Sequence, residues 1–139
     1  MIEFEVYGEI KGKGRPRFRV VNNKFVHTYT DSATASFENL VKLSYLNSNT
    51  QSYMEDEALC CEITVYTSIP KSISQKKQVQ MLEQKIRPTK KPDIDNIQKA
   101  ILDSLNKVAY KDDSQIVTMI FKKYYGETPK AIIKIWEEL

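Results

Sequence analysis

From Asn96 to Val108 the sequence reads NIQKAILDSLNKV, with Ile97, Ile101, Leu105 and Val108 at i, i+4, i+8 and i+11. That spacing lines one side of an α-helix, and an unbroken apolar stripe has to be covered. Two runs rich in β-branched and aromatic residues bracket it, ALCCEITVYTSI upstream and QIVTMIFKKYYG downstream. Such residues fit a pleated, half-buried surface, and ALCCEITVYTSI is the best candidate for a central strand. A striped helix between strands implies a sheet for it to lie on.

The remaining elements follow from simpler patterns. Ile2, Phe4 and Val6 alternate with Glu3, Glu5 and Tyr7, as in a half-buried strand. RFRVVNNKFVHTY reads as a hairpin, with Asn22 and Asn23 supplying the turn. Asp31 or Ser32 suits the cap of a helix that carries Phe37, Leu40, Val41 and Ser44 on one face. SISQKKQVQMLEQKI predicts another helix, and RPTKKP a connector that cannot be helical throughout. QIVTMIFKKYYG, a turn at ETP and KAIIKIWEEL then predict a closing antiparallel hairpin. A chain of 139 residues is most simply one domain, spanning 1–139. Strands and helices mix without a regular βαβ rhythm. The expected class is therefore α+β (mixed α/β), a small, mainly antiparallel sheet packed with two or three helices.

With 41% hydrophobic and 28% charged residues, the chain has the composition of a soluble globular protein. No segment approaches the ~18 apolar residues that span a bilayer. The first residues show no basic-then-apolar signal pattern, so a cytoplasmic location and no membrane partner are expected. Cys60 and Cys61 are adjacent, which makes an ordinary disulfide between them awkward. They read as reduced, partly buried thiols, and a lone histidine, His27, leaves no zinc set to complete.

The net charge of +3 says less than its distribution. Lys11, Lys13, Arg15, Arg17 and Arg19 fall at every second position and would form one basic edge if extended. A second block, with Arg87, Lys90 and Lys91, runs directly into an acidic cluster. Either block is a candidate phosphate-contacting surface. The plainer reading is a solvated strand edge guarded by charge.

The acidic cluster is Asp93–Ile94–Asp95. Asp95 followed by Gln98 fits a capping box, and such a cap stabilises a helix by about 1 kcal/mol. Lys99, four residues on, adds a few tenths of a kcal/mol at most. Neither explains Asp93, which follows Pro92 on backbone expected to be extended, where residues i and i+2 share a face. Two like charges a few ångströms apart repel unless a cation lies between them. Oxygen-only ligation suits Mg²⁺, with Mn²⁺ as a substitute, better than zinc, and Ile97 and Gln98 break the EF-hand pattern. Asp112 and Asp113 fall in the break YKDDSQ, where adjacent aspartates are most often turn formers. A helix of about 12 residues is about 18 Å long, so VAYKDD would have to double back to reach the pair. Lys99 shares a helix face with Asp95, off the apolar stripe. Asp103, a turn further on, is placed to pair with it.

Taken together, DIDNIQKAILDSL and YKDDSQIV resemble the signature of the RusA family of Holliday junction resolvases. Asp93, Asp95, Asn96, Lys99, Asp103, Asp112 and Asp113 fall on the family's D-x-D-N-x-x-K, helix and D-D positions. GKGRPRF is similar to a K-G-R-P-R segment common in these proteins. The resemblance implies a Mg²⁺-dependent, homodimeric endodeoxyribonuclease, bacterial or prophage-encoded, that nicks four-way junction DNA in symmetric pairs. Asp93, Asp95 and Asp113 would be its metal-binding catalytic carboxylates and Lys99 its essential lysine. The longer segment 71–91 departs from the shortest members. A less selective flap or branched-DNA nuclease, or a junction-binding protein without cleavage, would share the same residues.

Overall fold

The structure is a computed structural model describing residues 1–14, 17–21, 25–29, 32–48 and 53–139, with backbone alone for 17–21 and 25–29. Among the described residues, six strands and three α-helices run in the order β1 (Ile2–Tyr7), β2 (Arg17–Val21), β3 (Phe25–Tyr29), α1 (Ser32–Leu46), β4 (Leu59–Ser68), α2 (Gln75–Leu82), α3 (Ile94–Leu105), β5 (Ile116–Gly126) and β6 (Lys130–Glu137). β2 and β3 pair antiparallel as the expected hairpin. The other four strands form one sheet in the order β1-β6-β4-β5. Only β4 and β5 are parallel, so the fold is α+β with a mostly antiparallel sheet.

The core follows the sequence periodicities. Ile2, Phe4 and Val6 of β1 are buried, as are Ala131, Ile133 and Ile135 of β6 and Ile63 and Val65 of β4. Ile97, Ile101 and Leu105 of α3 are fully buried against them, with Val108 half-buried at the margin. Each fully buried Ile, Leu, Val or Phe among them contributes roughly 1.5–3 kcal/mol by leaving water. On α1 the buried face is Thr34, Phe37, Val41 and Tyr45, while Leu40 is exposed. The helix is thus rotated from the expected face, and Tyr45 packs edge-on against Phe4, ring centroids 5.6 Å apart.

Three expectations are corrected. β5 and β6 are not a hairpin, because β4 lies between them, parallel to β5 and antiparallel to β6. Four Cα steps from Gly126 to Lys130 reach about 13 Å, enough to cross the roughly 9.6 Å between strands two places apart. β4 has successive buried residues at Leu59, Cys60 and Cys61, which suits an interior position covered on both faces. α2 is shorter than its amphipathic run, starting after the Ser74 cap and stopping before Gln84, whose φ of 65° breaks the helix. α3 begins at Ile94 with Asp93, not Asp95, as its N-cap residue. The turn at Asn22–Asn23 and the alternative cap at Asp31 lie outside the described residues. Among the described residues no helix is long and apolar enough to cross a membrane.

Candidate active site

The α3 N-terminus presents the aspartate pair. Asp93 holds extended backbone and makes no side-chain cap hydrogen bond, so its carboxylate is not committed to the helix. Asp95 lies in the first helical turn, and both side chains are exposed. The pair is therefore set by the step from one extended residue of the connector into the helix, and not by the fully extended geometry expected. Asp95 and Gln98 form no capping box. The capping box of this region is Asp112 with Gln115, at the 3₁₀ turn Asp113–Gln115.

Between α3 and that turn the chain does double back. Lys107 takes a positive φ of 62°, and its N–H donates to the Tyr110 carbonyl at 2.7 Å. The fully buried Tyr110 returns its hydroxyl to α3, donating to the Leu102 carbonyl at 2.7 Å. The Asn106 Oδ1 then accepts the Asp113 N–H at 2.8 Å. Gln115 Oε1 accepts from the Lys111 and Asp112 amides, while its Nε2 donates to the Met54 and Glu57 carbonyls. Asn106, Tyr110 and Gln115 were not singled out in the sequence. An asparagine just past a helix and a glutamine three residues after an aspartate were the available signals.

The turn brings Asp113 within electrostatic reach of α3. Burial first, then the charges of Asp112 and Asp103, raise its pKa, opposed by a backbone hydrogen bond and by Lys99. Asp112 is shifted the other way, chiefly by the hydrogen bonds that it accepts from Ser114. Lys99 is exposed, one turn past Asp95.

Asp103 does not pair with Lys99. Its Oδ2 lies 3.5 Å from the Lys13 ammonium, which also donates to Glu38 Oε1 at 2.6 Å. Burial of Lys13 works against its charge, but Glu38 and then Asp103 outweigh it and raise its pKa. Lys13 thus joins α1 to α3 and is not a free cation on a basic edge. The Lys13 N–H donates to the Asn96 carbonyl at 2.8 Å, laying residues 10–13 along the first turn of α3.

Two clefts flank Pro92, whose bond to Lys91 is cis. One, of about 330 Å³, is lined by Lys11, Lys13, Lys91 and Asn96 among others. The second, of about 220 Å³, is lined by Lys90, Lys91, Lys123 and Tyr125 among others. Lys91 thus shares one cleft with Lys11, some 80 positions away in sequence, and the other with Lys90, and both clefts border Pro92. Arg87 is tied elsewhere. Its Nε donates to the Lys123 carbonyl at 2.7 Å, and its guanidinium sits 4.0 Å from the Tyr124 ring centroid. Tyr124 stacks in turn on Tyr66 at 5.8 Å. Arg15 lies outside the described residues, and so do the side chains of Arg17 and Arg19.

The oxygen-only donors of Asp93 and Asp95 suit a hard divalent cation, and Asp93's uncommitted carboxylate is free to take one. Among the described residues, however, no three His, Cys, Asp or Glu side chains come together closely enough to hold an ion.

A small α+β domain with two aspartates at a helix mouth, a lysine one turn behind them and basic clefts alongside has the parts of a phosphodiester-cleaving enzyme. The chain belongs to the RusA endodeoxyribonuclease family, whose model matches residues 8–136. It is also 36% identical over 138 residues to uncharacterized protein YqaN of Bacillus subtilis (strain 168), covering 98% of this chain and 96% of that protein.

Proposed function

We propose that the protein is a Mg²⁺-dependent, structure-selective endodeoxyribonuclease that resolves four-way DNA junctions by paired symmetric nicks, acting in the cytoplasm as a homodimer. The observation that carries this reading is the family match over 8–136, on a chain whose fold returns Asp113 to the Lys99 and Asp103 side of α3.

Asp93 and Asp95 would hold the cation, with Mn²⁺ as a substitute, and Asp113 would complete the set by closing on the pair, since the three carboxylates are not gathered in this structure; Asp112, Asp103 and Asn96 support them. When bound, the ion supplies an activated water and offsets charge on the phosphodiester oxygens. Lys99, exposed one turn behind Asp95, orients the scissile phosphate and opposes charge that develops as the bond breaks. Lys11, Lys90 and Lys91 receive neighbouring phosphates in the two clefts, and Arg15, Arg17, Arg19 and Arg87 are further candidates for DNA contact. Lys13 acts indirectly, through Asp103 and Glu38. A four-way junction has near two-fold symmetry and needs two nicks, which a C₂ dimer with one site per protomer matches.

The test is cleavage of a synthetic mobile junction in Mg²⁺, with strand mapping. Asp93→Asn and Asp113→Asn are each expected to abolish cleavage while junction binding survives. Intact cleavage in either variant removes that residue from the machinery. Equal cutting of flaps or plain duplex would instead indicate a less selective nuclease, and binding without nicks a junction-binding protein.

A further inference from the structure

On the edge strand β5, Met119 and Phe121 pack against the core, in register with Cys61 and Ile63 of β4. Alternation puts residue 123 on the same side, in register with the fully buried Val65. An apolar residue would continue the row, but the sequence places Lys123 there. A lysine stem can lie along apolar surface, whereas its ammonium needs acceptors. Lys123 Nζ finds two backbone carbonyls, Lys90 at 3.0 Å and Pro92 at 2.9 Å. Its own carbonyl accepts the Arg87 Nε–H. One residue of the sheet therefore grips the connector at positions 87, 90 and 92.

Pro92 immediately precedes Asp93. An N-cap aspartate ordinarily fastens a helix end with its own carboxylate, and Asp93 does not. Something else has to hold this end still. Gly12 closes it from the other side. A Cβ there would lie 3.0 Å from both the Pro92 and Asn96 Cβ atoms, so the contact is already close.

We infer that Lys123 is a positioning residue for Asp93: by anchoring the Lys90 and Pro92 carbonyls to β5, it aims the helix mouth and leaves the Asp93 carboxylate free for a ligand. Its consequence for catalysis rests on the nuclease reading above, whereas the anchoring concerns the backbone alone.

Two variants test it in the full-length protein. Lys123→Met keeps the stem and its packing but removes the donors. Lys123→Arg keeps N–H donors. Hydrogen exchange across Asp93–Ile97, where the Ile97 N–H bonds the Asp93 carbonyl at 3.0 Å, reads the anchoring. It is expected to rise about tenfold in Lys123→Met, with exchange in β1 and β6 unchanged. Mn²⁺ affinity, by calorimetry, is expected to weaken about tenfold. Lys123→Arg should recover both toward wild type. Wild-type exchange at Asp93–Ile97 in Lys123→Met would overturn the inference, and so would faster exchange spread evenly over the sheet. If the wild-type protein takes no Mn²⁺, the metal reading falls, and the exchange experiment still decides the anchoring.

Discussion

Cys61 lies in the central strand with no exposed surface, and burial, then the Cys60 and Glu62 charges, push its thiol up to about 12. Cys60 is also raised, first by its hydrogen bond to Glu138. A thiol that stays protonated and covered is a poor nucleophile. An aromatic disulfide reagent at pH 8 is expected to titrate neither cysteine in the folded protein and both of the 2 in denaturant; prompt native reaction would contradict this burial. Asn106 works at the same scale. Its Oδ1 holds the Asp113 N–H, so Asn106→Ala should leave the melting temperature nearly unchanged and slow junction cleavage about tenfold, as expected for a displaced reacting group. Wild-type cleavage in that variant would mean that Asp113 needs no such hold.

The elements depend on a few cross-links. Ile101 is fully buried where α3 meets the sheet, and Ile101→Ala is expected to lose about 2–5 kcal/mol of stability in denaturant unfolding. Lys13 links α1 and α3 through Glu38 and Asp103, and Lys13→Met should cost about 1.5–3 kcal/mol at neutral pH. The pH dependence has a definite sign. The folded-state pKa of Lys13 is raised, so its contribution is complete below the ordinary value of 10.5 and fades as pH rises through the folded value. On the alkaline side, the stability gap between wild type and Lys13→Met should therefore hold up to pH 10.5 and narrow above it. A gap constant into strong alkali would show that packing of the stem, and not the charge, makes the link.

At the scale of the whole molecule, strand order brings distant segments to one place. Residues 10–13 leave the edge strand β1, residues 87–92 leave α2, and both arrive at the mouth of α3. The basic cleft between them predicts steep salt dependence. Replacing Lys11, Lys90 and Lys91 together by alanine should flatten the plot of log binding constant against log salt by about 0.9 for each phosphate that is no longer neutralised. A slope equal to wild type would move the DNA path elsewhere on the surface.

How much of this was legible in the sequence depends on range. The α3 stripe, the alternation in β1 and the β2–β3 hairpin are local, because helix and strand periods alone decide which side chains must be covered. The aspartates, Lys99 and the break after α3 were likewise visible as residue types in a fixed spacing. Three things depended on partners far along the chain. β4 separates β5 from β6 because the strand buried most completely takes the interior, and sequence adjacency had suggested a hairpin. Lys13 belongs to Glu38 and Asp103, and Lys123 to the Lys90 and Pro92 carbonyls, since a charge leaving water takes whichever acceptors the fold brings within reach. Asp113 returns to α3 because Tyr110 and Asn106 turn the chain back. The sequence by itself determined the chemistry that could be assembled and the faces that had to be buried. Only the tertiary structure decided which charges stay free to act, because pairing depends on distance in space and not on separation in sequence.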